Sequence, residues 1–156
     1  MAELMPLTQL RDMLDGNRRL TVRTLQAFPD EALFTHAAPG MRTAADMFKE
    51  IIEIDRAQLR GIATGKWAWE NESQAIDTKQ GLLDAFAQLK GQAAQWWEKI
   101  TPDRLLTVED DGFGWAPPMP NLNRVMYGLE NEVHHRGQVY VYLRQLGVEP
   151  PVFYER

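Results

Sequence analysis

The chain has 156 residues, 44% hydrophobic and 25% charged, which are the proportions of an ordinary globular domain and exclude a disordered one. Its net charge of −5 argues against a nucleic-acid partner, because neutralising phosphates needs a basic surface. With no cysteine, disulfides, a thiolate nucleophile and cysteine-ligated zinc are excluded.

The opening MAELMPLTQLRDML lacks the basic start and continuous apolar run of a signal peptide. No window approaches the roughly 20 apolar residues of a membrane span. A cytoplasmic protein with a single domain over residues 1–156 is expected. Four segments then carry helical periodicity. The first runs from Pro6 to Phe28, with Leu7, Leu10, Met13, Leu14, Leu25 and Phe28 as its apolar stripe and Pro29 as a stop. The second spans Thr43 to Thr64, where Thr43 and Asp46 resemble a capping box and Gly65 marks the end. Its stripe is Met47, Phe48, Ile51, Ile54, Leu59 and Ile62. The third spans Thr78 to Ile100 with Leu82, Leu83, Phe86, Leu89, Ala93 and Trp97 inward, and Thr101–Pro102 ends it. DRLLTVEDDGFGWAPPMP follows as a long connection without helical pattern, of the kind that is often functional or carries a chain the length of a bundle. The last helix runs from Asn121 to Leu146, with Pro120 before it and Gly147 after. Each stripe needs cover, so the fold class is all-α, a four-helix bundle with long crossover connections.

Function in such a bundle is expected where polar side chains interrupt an inward stripe. Glu50 lies three residues after Met47 and four before Ile54, on one face with both. If it points inward, it needs a cation, a donor or a metal. Asp55 raises the same question between Ile51 and Leu59, with a place at the solvent boundary as the plainer reading. In NEVHHRGQVYVYLRQLG, Asn131 and His135 are four apart and stack on one face, continued by Val139, Tyr142 and Leu146. An i, i+4 pair is the helical geometry for two ligands of one metal, although a histidine beside tyrosines is also a common structural residue. Gly128 leaves room beside that face. His134 points about a hundred degrees away and is expected to pair with Glu130. His36 sits in the loop FTHAAPG, where it would close over an end of the bundle. Trp67, Trp69 and Trp115 are expected at a pocket mouth or a dimer seam, and Trp96 or Trp97 in the core. There is no GxSxG elbow, no P-loop, no GxGxxG after a strand, and no ferritin-type pair of ExxH motifs.

Three stretches resemble the DinB family of four-helix bundles, which includes thiol-dependent transferases: RTAADMFKEIIEID in the second helix, the GKW after it, and HHRGQVYVYLRQLGVEPP in the last. The order of helices agrees, so the likeness covers almost the whole chain. In that family three histidines bind a divalent metal, one from the second helix and an HxxxH pair from the fourth. The resemblance carries these positions onto Glu50, Asn131 and His135, of which only His135 keeps the family's residue type.

A Glu, Asn, His set is harder and richer in oxygen than three imidazoles, which shifts preference toward manganese, magnesium or ferrous iron and away from zinc or nickel. Two readings stay open. In one, a divalent ion at Glu50, Asn131 and His135 assists a transferase or hydrolase acting on a small electrophile, with a low-molecular-weight thiol as co-substrate. Trp115, Tyr142 and His36 would then line the substrate side. In the other, the cluster is a metal-free polar latch in a non-catalytic stress-response or small-ligand-binding bundle. A homodimer is what the resemblance implies in both.

Overall fold

The computed structural model describes residues 5–156. The start of the N-terminal stretch read above for a signal pattern, residues 1–4, lies outside the described residues. Four long helices form the body: α1 (Leu7–Ala27), α3 (Ala44–Thr64), α4 (Lys79–Trp97) and α6 (Asn121–Gln145). Two short ones, α2 (Asp30–Leu33) and α5 (Pro102–Leu106), sit in the connections.

The boundaries follow from local chemistry. Pro29 forces Phe28 out of the helical region, to ψ 134°, and so ends α1. Thr43 caps α3 by accepting the Asp46 N–H at 3.2 Å, and its hydroxyl donates to the Asp46 carboxylate at 2.8 Å. Asp46 is therefore engaged by the hydroxyl, where the longer Glu of a full capping box reaches the backbone. At the other end Gly65 takes φ +72°, a left-handed turn where a side chain would be strained, and its N–H closes on Gly61 O at 2.8 Å. Thr78 caps α4 through the Gly81 N–H. Helix α4 stops at Trp97, short of the expected Ile100, and Thr101 caps α5, with Pro102 in its first turn, at the start of the segment expected to be irregular. The rest of that segment holds a two-residue antiparallel pairing of β1 (Val108–Glu109) with β2 (Met119–Pro120).

The core falls into two clusters, which give the helix directions. One joins the end of α1 (Leu25, Phe28), the start of α3 (Phe48, Ile52), the start of α4 (Leu82, Phe86) and the end of α6 (Tyr142, Leu143). The other joins Leu10, Leu59, Ile62, Trp97 and Val125, at the opposite ends of the same helices. Helices α3 and α4 thus run parallel, flanked by α1 and α6 running the other way. The chain that travels the length of the bundle is the 65–78 connection, whose 3-10 turn Glu72–Ala75 lies along α3. There the Ser73 N–H donates to Glu53 at 2.7 Å and Lys49 donates to Gln74 O. The longer 98–120 connection stays at one end. No helix among the described residues is long and apolar enough to cross a membrane.

Candidate functional site

Antiparallel packing of α3 on α6 brings Glu50 opposite Asn131 and His135, which stand one turn apart on α6. Glu50 Oε1 accepts from Asn131 Nδ2 at 2.9 Å and lies 2.9 Å from His135 Nε2. The other carboxylate oxygen, Oε2, is ion-paired with the guanidinium of Arg42. A second Arg42 nitrogen lies 3.4 Å from His135 Nε2. His135 Nδ1 faces Gln138 Oε1 at 2.8 Å, so both ring nitrogens are oriented by an oxygen. Asn131 Oδ1 is buried, and no donor among the described residues reaches it.

Burial pushes the Glu50 carboxyl up, but hydrogen bonds from Arg42, His135 and Asn131, with the Arg42 charge, outweigh it and hold the group down to about 2. Glu50 is thus a carboxylate across the physiological range. Both ring nitrogens of His135 face an acceptor oxygen, and a neutral ring carries one proton: on Nε2 it is donated to Glu50 Oε1, whereas on Nδ1 it is donated to Gln138 and leaves the Nε2 lone pair 2.9 Å from Glu50 Oε1. Two acceptors that close need a proton or a cation between them.

Tyr142 stands just behind this cluster. Its hydroxyl donates to Arg42 O at 2.9 Å and accepts the Ala38 N–H at 3.2 Å, which pins the loop that carries Arg42. His36 packs edge-on against the Tyr142 ring, 5.1 Å between centroids, and its Nε2 meets Gln145 Oε1 at 2.9 Å. It closes the end of the bundle as expected and does not bring a second imidazole to Glu50. Trp115 is elsewhere. It packs edge-on against Trp69 and Phe113 and borders a small cavity of about 170 Å³ with Gln58, Met119 and Arg124. Gln58 is eight residues beyond Glu50 on α3, a rise of about 12 Å along the helix. The expected ion pair of His134 with Glu130 does not form: among the described residues His134 has no carboxylate partner, and its exposed ring leans on that of His135, 5.1 Å between centroids.

Arg42 and Gln138 were not singled out from the sequence. Gln138 carried a usable signal, three residues after His135 and hence beside it on the helix. Arg42 had only its place before the Thr43 cap, and the path of a loop is not legible from residue spacing.

A second charged cluster bridges the same two helices, on the side facing α1. Arg18 on α1 donates to both oxygens of Glu132 at 3.0 Å and to Asp55 at 2.9 Å. Burial opposes the Arg18 charge, but Glu132 and Asp55 outweigh it and raise the guanidinium's pKa further. Asp55 is pushed up, first by burial and then by Glu132, with Arg18 opposing. Asp55 keeps 29% of its side chain exposed, so it lies at the solvent boundary as expected, and it is also held by Arg18. Arg136, which donates to Asn17 and Thr21, adds a further buried cation behind Glu132.

The DinB family model matches residues 5–156, essentially the whole described chain. The chain belongs to the DinB family. Its fold is shared with two solved DinB-like proteins. One, from Bacillus cereus ATCC 10987, has a TM-score of 0.74 at 23% identity, over 94% of this chain and 97% of that one. The other, YjoA from Bacillus subtilis, has a TM-score of 0.70 at 20% identity, over 90% and 94%. No curated protein matches. Among the described residues of this DinB-family chain, no three His, Asp or Glu side chains converge. The cluster instead offers one carboxylate and one imidazole nitrogen, with Asn131, whose Nδ2 faces Glu50, able to add its unpartnered amide oxygen once turned. That donor set fits a hard divalent ion better than a soft one, provided that Arg42 moves aside.

Proposed function

We propose that Glu50, Asn131 and His135 form an exchangeable cation site for which Arg42 and a divalent metal ion compete. In its metal-loaded form, the site serves a transfer or hydrolysis reaction on a small electrophile, with a low-molecular-weight thiol as co-substrate. The observation that carries this reading is the 2.9 Å approach of His135 Nε2 to Glu50 Oε1 while Nδ1 faces Gln138. A histidine that donates one ring N–H to a side-chain oxygen and turns the other nitrogen inward is arranged as a metal ligand. Glu50 provides the charge and Asn131 a neutral oxygen once its amide is turned. Manganese or ferrous iron suits these donors better than zinc or nickel. Such an ion would supply Lewis-acid chemistry, lowering the pKa of a bound water or thiol. The protein's own part is to keep Glu50 ionised, hold the His135 tautomer through Gln138 and tether Arg42 through Tyr142.

Arg42 favours a second reading. Its guanidinium already balances Glu50, as it would in a non-catalytic bundle that keeps the cluster as a latch between α3 and α6. Elemental analysis of untagged protein separates the two, alongside thermal unfolding with and without manganese or zinc. The first reading expects about one ion per chain, lost in Glu50→Ala and His135→Ala. It also expects a rise in Tm equivalent to about 2.7 kcal/mol when the ion is at a hundred times its Kd. Metal-free protein with a Tm indifferent to chelator and to added ions supports the latch. A homodimer belongs to the same proposal, and the exposed stripe of Tyr127, His134 and Val141 along the outer face of α6 is compatible with it.

A further inference from the structure

A cavity lies between the helices away from Glu50. It has a volume of about 480 Å³, opens between α1 and α4, and has α3 and α6 as its floor. None of Glu50, Asn131 or His135 lines it. Its walls are mainly apolar, with Leu14 and Val22 of α1 facing Phe86 and Trp97 of α4, while Asp15, Arg19, Arg23, Lys90 and Arg156 also line it, and that volume falls in the range of small-molecule sites.

The floor is polar and unfinished. Gln58 is 5% exposed, and its Oε1 is buried with no donor among the described residues. Such an orphan acceptor is costly and calls for a partner. Asp55 lies one turn away, its Oδ2 held by Arg18. Its Oδ1 and Gln58 Oε1 converge on Gly128, at 3.2 and 3.4 Å from where a Cβ would stand. The missing side chain at Gly128 makes the room for these two acceptors. A glycine there has no turn to serve, since it sits in the middle of α6, where glycine weakens a helix.

The charges set the ligand class. Asp55 and Glu132 are matched by Arg18 and, behind Glu132, Arg136. The floor is therefore balanced, and an ion brought into it would be left unpaired. An uncharged donor would not.

We propose that this cavity is a second binding site, for an uncharged aromatic or alicyclic molecule carrying one N–H or O–H donor. The apolar body fills the space between α1 and α4, and the donor reaches Gln58 Oε1, with Asp55 Oδ1 as its neighbour. The site is independent of any metal at Glu50.

Indole and its carbon isostere indene, which lacks the N–H, are suitable probes, followed by calorimetry. The proposal expects saturable binding of indole, one per chain, with indene at least about tenfold weaker. Gln58→Leu should abolish that preference. Leu14→Trp, which fills the cavity from α1, should abolish binding of both while the far-ultraviolet spectrum and cooperative unfolding stay intact. No saturable indole binding overturns the proposal, as does equal affinity for the two probes or binding that survives Leu14→Trp. Glu50→Ala should leave indole affinity unchanged, which separates this site from the cation site.

Discussion

Two carboxylate–arginine clusters join α3 to α6, and they differ in where the arginine comes from. Arg18 projects from a long helix, is 16% exposed, and meets Glu132 through two hydrogen bonds. Arg42 projects from a loop, is 51% exposed, and lies over Glu50, whose second oxygen is taken by Asn131 and His135. An arginine on a helix, shared by two carboxylates, is a fixture of the fold, because removing it strands buried charge. An arginine on a loop leaves for solvent at small cost, because water takes over its hydration. The same pair of residue types therefore serves as structure on one side of α6 and as an exchangeable occupant on the other.

Breaking the Arg18 cluster should have the largest effect. Glu132→Ala leaves Arg18 with Asp55 alone in a buried setting, and a loss of about 3–5 kcal/mol in chemical denaturation is expected. A loss below about 1 kcal/mol would place this cluster in the same class as Arg42. Acid unfolding should sharpen the contrast next. Glu50 is held at about 2 against an ordinary 4.5, so its folded-state pKa is depressed. Its stabilisation is present above 4.5 and is lost as pH falls through that window toward 2. Asp55 has the opposite sign: its raised folded-state pKa makes its contribution weaken as pH rises above the ordinary 3.8. Glu50→Gln should thus flatten the fall in Tm between pH 4.5 and 2, and an unchanged acid limb would contradict the Glu50 assignment. Arg42→Ala should have the smallest effect on stability, within about 1 kcal/mol of wild type by the same denaturation.

The fold was legible because each helix carries its own punctuation: Pro29, Thr43, Gly65, Thr78 and Gly147 fall where the chain turns. Thr101–Pro102 was read as a stop, whereas α4 ends at Trp97 and the pair starts α5, because a threonine cap followed by proline is also a helix-start signal. The three candidate ligands were also legible, because Glu50, Asn131 and His135 interrupt apolar stripes at helical spacing and meet across α3 and α6. Arg42 was not, because its approach depends on a loop pinned by Tyr142. Nor was the Arg18 cluster, whose partners lie 37 and 114 residues away in the chain. Trp115 was read toward the site from its place in the crossover, and the structure holds it at another part of the bundle, while His36 stays behind the cluster, packed on Tyr142.

Calorimetric titration of manganese into wild-type protein and into Arg42→Ala tests the exchangeable site most directly. If the guanidinium and the metal compete for Glu50 and His135, wild type binds one ion per chain and Arg42→Ala binds it about tenfold more tightly, the equivalent of about 1.4 kcal/mol. Glu50→Ala should bind none. Equal affinity in wild type and Arg42→Ala, or no binding to either, would contradict the account.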